Sequence, residues 1–303
     1  MRADSAKADS PSEPYYLIGS IVKAVSVLRA FGINHPLLGP TELSRDLKLS
    51  KTVAQRILLT LAHEGLLMQD PATRKYSLSP RVVELASSFF HSSPLLQEGE
   101  AVLRQLVAAV QATASLAVLD NDEVLYVASF EPQASVRATT GVGERRPLHA
   151  SATGKSLLAF QPKVEQERLL DRISLLPLTE HTITDKVLLR VELEAVRERG
   201  YALNQEERAI GLCAVAAPVL DDHGHAVAAI GVGVPKSSLA GGLPRDLIEA
   251  TLASSKRLSE RLCALSHFLA RANSPVPRVR GYLSQMPHLD PGDMKGGGSG
   301  GDM

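Results

Sequence analysis

Cysteine is scarce. The 303-residue chain holds only Cys213 and Cys263, too few for a disulfide framework or for a zinc site built wholly of thiolates. Long apolar runs are missing too. No stretch of about eighteen consecutive apolar residues occurs, so the sequence predicts no membrane span. The N-terminal stretch MRADSAKADSPSEP has no apolar core and does not read as a secretory signal. The expected location is the cytoplasm. Charge of one sign is not in excess either, with 33 Lys and Arg facing 33 Asp and Glu. That excludes a uniformly basic nucleic-acid coat and an acidic disordered chain, and leaves room for a basic patch on one part. What is present is ordinary globular composition, 44% hydrophobic and 22% charged, enough for a real core. At roughly 100–200 residues per domain, the length suits two domains.

Residues 1–14 and 272–303, rich in Ser, Pro and Gly, read as a disordered leader and tail. Between them the expected division is a small domain over 15–79, a linker helix over 80–94 and a larger domain over 95–271. From Tyr15 to Pro80, eight basic side chains face four acidic ones. A local positive excess in a neutral chain leaves the remainder net acidic. That asymmetry points to a nucleic-acid module joined to something else.

Apolar spacing predicts a helix over Ile21 to Phe31, stopped by Gly32, and a short helix over Thr41 to Lys48 after Pro40. After the tight turn Leu49-Ser50, a longer helix starts at Ser50 or Lys51, with Val53, Ile57, Leu58 and Leu61 inward. Lys51, Thr52, Gln55 and Arg56 fall on its other face, near the end where a recognition helix meets bases and phosphates. Gly65 ends it. Leu66–Gln69 and Lys75–Leu78 then read as a hairpin with Arg74 and Lys75 at the tip. This order is the winged helix-turn-helix plan. The expected DNA-contacting set is Thr41, Lys51, Thr52, Gln55, Arg56, Arg74 and Lys75. Lys51 and Arg74 suit phosphates and Gln55 suits base edges. Arg56 either reads a base or pairs within the domain.

In the larger region, TASLAVL and VLYVASF flank Asp120-Asn121-Asp122-Glu123 and predict an antiparallel hairpin. A third strand is expected over Val136–Thr140. Helices follow over Ser151–Phe160, 163–172 and 185–199. Strands come next over Tyr201–Glu206, Gly211–Leu220 and Ala226–Val234, then a last helix from Pro244 to Ala270. The expectation is an α+β domain, an antiparallel sheet with helices packed on it. The segment SATGKS suggests a phosphate loop, but the required glycine five residues before Gly154 is His149. Small residues at a helix start instead make an anion-receptive edge. No catalytic set stands out. His223 and His225 beside a turn glycine read as exposed, and Cys213 in a β-run reads as a core residue. No cofactor and no metal are expected. The competing readings are an enzyme or nucleotide-binding protein using the ATGKS loop, and a helix-turn-helix scaffold for protein partners.

Three stretches carry a resemblance: LSKTVAQRILLTLAHEGLL, PLHASATGKSLLAF, and GYALNQEERAIGLCAVAAPVLDDHGHAVAAIGVGVP. In this order and spacing the chain resembles an IclR-family transcriptional regulator over roughly residues 17–270. The resemblance implies an N-terminal DNA-binding domain, a linker helix and a C-terminal effector-binding domain. It implies dimers or tetramers on a palindromic double-stranded operator, and small organic-acid effectors. It places the effector pocket at Ala152 and Thr153, Asn204, Ala214, Gly231 and Gly233, with Leu212 and Cys213 beside them. Small-carboxylate sensors of the family carry an acid, a thiol and hydroxyls where this chain has Asn204, Ala214, Gly231 and Gly233. Bare glycines either enlarge the pocket for a bulkier, aromatic acid, or let neighbouring backbone approach.

Overall fold

The computed structural model describes residues 17–32, 35–133, 140–239 and 241–271. They divide into two units, with the boundary between Phe89 and Phe90. The expected leader and tail lie outside the described residues, and so does most of the expected strand Val136–Thr140.

The first unit contains α1 (Gly19–Ala30), α2 (Pro40–Asp46), α3 (Lys51–His63), β1 (Leu67–Gln69) and β2 (Tyr76–Leu78). Pro40 opens α2, where its missing N–H costs nothing. The Glu42 carboxylate accepts from the Gly39 amide at 3.2 Å. Ser50 caps α3, its Oγ accepting from the Val53 amide at 3.3 Å. Val27, Leu43, Ala54, Leu58, Leu61 and Tyr76 form the core. Ala54, rather than Val53, is the fully buried residue on that turn of α3, with Val53 half-buried. β1 and β2 are antiparallel with Leu67 opposite Leu78. Tyr76 also exchanges two backbone hydrogen bonds with Leu38, at 2.9 and 3.0 Å, so the wing is fastened to the chain entering α2. The linker helix α4 (Val82–Ser92) is shorter than its expected 80–94, because Ser93 precedes a new helix opened by Pro94.

The second unit contains α5 (Pro94–Val110), β3 (Thr113–Asp120), β4 (Glu123–Phe130), β5 (Arg145–Pro147), α6 (Ala152–Ala159), α7 (Lys163–Arg172) and α8 (Lys186–Arg199). It continues with β6 (Ala202–Gln205), β7 (Leu212–Leu220), β8 (Ala226–Pro235) and α9 (Arg245–Arg271). The six strands form one antiparallel sheet in the order β5-β4-β3-β8-β7-β6. Asn121 takes φ +58 in the β3–β4 turn, a conformation asparagine tolerates. Strand alternation gives the sheet two apolar faces. Leu116, Val215, Ile230 and Val232 pack with Leu103 and Leu106 of α5 and Leu258 of α9. Ala117, Tyr126 and Ala229 pack with Leu157 and Leu158 of α6, Leu170 of α7 and Leu193 of α8. The sheet is therefore a middle layer with helices on both faces, the α+β arrangement expected. No helix among the described residues is long and apolar enough to cross a membrane.

Candidate functional site

In the first unit, Thr41, Lys51, Thr52, Arg56 and Arg74 are exposed. Arg74 turns the wing with φ +60, its carbonyl accepting from Gln69 Nε2 at 2.9 Å. Two residues of the expected set are partly committed to the fold. Gln55 is half-buried, and its Nε2 donates to the Tyr76 hydroxyl at 3.4 Å. Lys75 Nζ lies 2.5 Å from Glu42 Oε1, joining wing to α2. That hydrogen bond holds the Glu42 carboxyl below its ordinary value. Lys75 is thus first a structural cation.

In the second unit, a recess open to solvent gathers Ala152, Thr153, Asn204, Leu212, Ala214, Gly231 and Gly233. It lies where α6 starts against β7 and β8. Ser151 caps α6, accepting from the Gly154 amide at 3.1 Å. The amides of Ala152 and Thr153 belong to the first turn and have no intrahelical acceptor.

Two expectations about this recess need correction, and Asn204, which lines it as expected, also serves the fold. Cys213 does not line it. Neighbours on a strand alternate faces, and Cys213 lies in the core with Leu106 and Val234, where burial pushes its thiol up. Asn204 is 3% exposed and spends both ends of its amide on backbone: Nδ2 donates to the Ala150 carbonyl at 2.9 Å, and Oδ1 accepts from the Glu207 amide at 3.0 Å. It braces the loop after β6. The space over Gly231 is filled: a Cβ built there would come 2.6 Å from Thr153 Cγ2. The glycine admits the helix rather than enlarging the pocket.

The ATGKS segment is a packing device. A Cβ at Gly154 would meet the Leu148 carbonyl oxygen at 2.3 Å, so only glycine lets α6 cross that backbone. Lys155 is 1% exposed, with Nζ 2.6 Å from Glu207 Oε1 and 3.5 Å from Glu192 Oε1. It is paired inside the fold, and the nucleotide reading loses its lysine.

The sequence reading missed Arg146, Tyr126, Thr140 and Ser115, which also line the recess. Arg146 is 8% exposed. Its guanidinium donates to both Glu144 oxygens, at 3.0 and 3.3 Å, and to Thr140 Oγ1 at 3.1 Å. It lies 4.7 Å from the Tyr126 ring centroid. The available signal was the pair Arg145-Arg146 before Pro147: on a strand, one of two neighbours must face the covered side.

The comparisons bear on this two-part arrangement. A model of the bacterial transcriptional regulator IclR C-terminal domain matches residues 87–260, and the IclR helix-turn-helix model matches residues 20–71. The chain belongs to the IclR family. Like other IclR-type regulators it pairs a DNA-binding helix-turn-helix domain with an effector-binding domain. The HTH-type transcriptional regulator BhcR of Paracoccus denitrificans is 31% identical over 242 residues, 80% of this chain and 86% of that one. The p-hydroxybenzoate hydroxylase transcriptional activator of Acinetobacter baylyi is 36% identical over 218 residues, 70% of this chain and 80% of that one. The crystal structure of an IclR transcriptional regulator from Alicyclobacillus acidocaldarius superposes with TM-score 0.75 at 28% identity, covering 83% of this chain and all of that one.

Proposed function

We propose that this IclR-family protein is a ligand-responsive regulator acting on DNA in the cytoplasm. It binds a palindromic operator as a dimer or tetramer and changes that binding when a small monocarboxylate enters the recess of the second unit. The observation that carries this reading is the recess itself, where the first turn of α6 meets β7 and β8 in a unit distinct from the basic winged helix. First-turn amides favour an anion, by about 0.3–2 kcal/mol. Most of the affinity then comes from burying the ligand body, at about 25 cal/mol per Å².

The case for a bulky ligand rested on empty space over Gly231, which Thr153 fills. Aromatic hydroxy acids remain the first class to screen, because one relative is by name a p-hydroxybenzoate hydroxylase transcriptional activator.

A gel-shift assay on the DNA fragment upstream of the gene tests the reading, run with and without pyruvate, benzoate and 4-hydroxybenzoate. The expected result is a retarded complex that one of these acids strengthens or dissolves. No complex on that fragment, or one indifferent to every acid, overturns it.

A further inference from the structure

We infer that Arg208 is a latch across the recess: its side chain crosses from the β6–β7 loop to Glu144 beside β5, and an effector enters or leaves when that one side chain swings aside. This rests on the reading of the recess as the effector site and adds how that site exchanges its ligand.

The topology sets the two ends of the latch apart. Glu144 stands just before β5, its carbonyl accepting from the Tyr126 amide of β4 at 3.0 Å. Arg208 stands between β6 and β7. In the sheet, β3 and β8 lie between β4 and β7, and three strand spacings separate the two anchoring strands by about 14 Å. The floor of the recess comes from these same strands: Ser115 of β3, Gly231 and Gly233 of β8, and Ala214 of β7. Arg208 Nη2 nonetheless lies 2.9 Å from Glu144 Oε1. The pair therefore spans the strands that carry the floor. Burial, then the charge of Arg146 in the recess wall, pushes the Arg208 guanidinium below its ordinary value, as expected of a side chain laid against that wall.

The ends are stiff and the crossing is loose. Glu207, next to Arg208, has its amide on Asn204 Oδ1 at 3.0 Å, its carbonyl on Thr182 Oγ1 at 2.6 Å and its carboxylate on Lys155 Nζ at 2.6 Å. On the other side, the Gly211 amide donates to Glu206 Oε1 at 2.8 Å and the Gly211 carbonyl accepts from the Lys236 amide at 2.8 Å. Glu144 accepts from the Gly141 amide at 3.1 Å and from Arg146 at 3.0 and 3.3 Å. The Arg208 side chain is 31% exposed, and a partly exposed ion pair is weak. When it lets go, Glu144 keeps Arg146 and Arg208 turns to water, so opening strands no buried charge.

Line-shape NMR of benzoate, 4-hydroxybenzoate and pyruvate titrated with the full chain gives Kd and the release rate, and from them the association rate. Arg208→Met and Glu144→Gln each break the latch, and they change the charge at the mouth in opposite senses. In both variants, association and release should speed up by about three- to fivefold, as loss of a weak ion pair implies. Kd should stay within about twofold, because a latch acts on both rates alike. The double variant should be no faster than either single one, since the two break one bond. If Arg208 instead attracts or holds the acid, Arg208→Met slows association or speeds release alone, and Glu144→Gln does the reverse. That outcome overturns the latch and leaves the effector site standing. Rates unchanged in both variants also overturn the latch. A wild type that binds none of the three acids overturns both readings. If Arg208→Met does not fold, Glu144→Gln decides: faster association together with faster release supports the latch, and any other pattern overturns it.

Discussion

The methyl group of Thr153 sits in the space a side chain at Gly231 would need, 2.6 Å from the ideal Cβ position. The threonine cannot simply rotate away, because its Oγ1 is held 2.7 Å from the Tyr126 hydroxyl. Gly231→Ala should therefore destabilise the second unit by about 1–3 kcal/mol, the usual cost of overpacking. Adding Thr153→Ser removes the methyl, keeps the hydroxyl and should recover most of the loss. Urea unfolding of the single and double variants reads this as a coupling energy. A Gly231→Ala protein as stable as the wild type would show that the contact is slack.

Lys155 and Glu207 make a second testable pair. Both are buried, at 2% and 9% side-chain exposure. Lys155→Met should cost about 3–5 kcal/mol, because it strands a carboxylate away from water. Glu207→Gln in that background should restore part of the loss. A Lys155→Met protein of unchanged stability that had lost nucleotide binding would revive the phosphate-loop reading.

Much of this architecture was legible in the sequence, and the exceptions have physical causes. Caps and stops carried clear signals: Ser50, Ser151 and Asp185 each accept hydrogen bonds from first-turn amides, and Gly200 ends α8 with φ +84. The β3–β4 and β7–β8 turns were announced by Asn and Asp. The three residues of β5 carry no periodicity to read, so only the charged pair Arg145-Arg146 could have marked so short an edge strand. With β5 went Arg146. For Cys213 the β-run pointed to the core and the family resemblance to the pocket wall; the register of β7 decides for the core, because neighbours on a strand face opposite sides. The bracing role of Asn204 was not legible because its backbone partners, Ala150 and Glu207, come from separate segments that only the fold brings together.

Acid should weaken the second unit partly through Glu144. Burial works to raise its carboxyl value, but the hydrogen bond and charge of Arg146, then the hydrogen bond from the Gly141 amide and the charge of Arg208, carry it below the ordinary 4.5. A lowered folded-state value means stability present above about 4.5 and lost as pH falls through the folded value. Glu144→Gln should therefore flatten the fall of melting temperature on acidification below that point. An equally steep fall in the variant would remove Glu144 from the account.

On the DNA side, Arg74 at the wing tip is exposed and suits a phosphate. Arg74→Ala should weaken binding to specific and unrelated DNA about equally, lowering the salt slope by about one. Gln55→Ala should behave differently. Its Nε2 reaches Tyr76 at 3.4 Å, so the variant should change operator preference only if the amide also meets a base. Titrations at several salt concentrations separate these effects. Unchanged affinity in both variants would remove these two residues from the DNA interface.

Self-association is the last expectation. Along α4, Val83 and Leu85 are 67% and 66% exposed, and at the start of α1 its N-cap Ile18 and Ile21 are 61% and 57% exposed. Large apolar side chains at that exposure on two helices of one small unit suit a partner surface rather than solvent. A second copy is the fitting partner, because a single helix-turn-helix module covers one half-site and a pair reads a palindrome with far higher effective concentration. Light scattering at micromolar concentration should give at least twice 32.4 kDa. Val83→Glu with Leu85→Glu should shift the population toward monomer and weaken operator binding by more than about tenfold, without unfolding a helix whose faces are already wet. A wild type that runs as a clean monomer, or a double variant that keeps its mass and operator affinity, would move the dimer contact off α4.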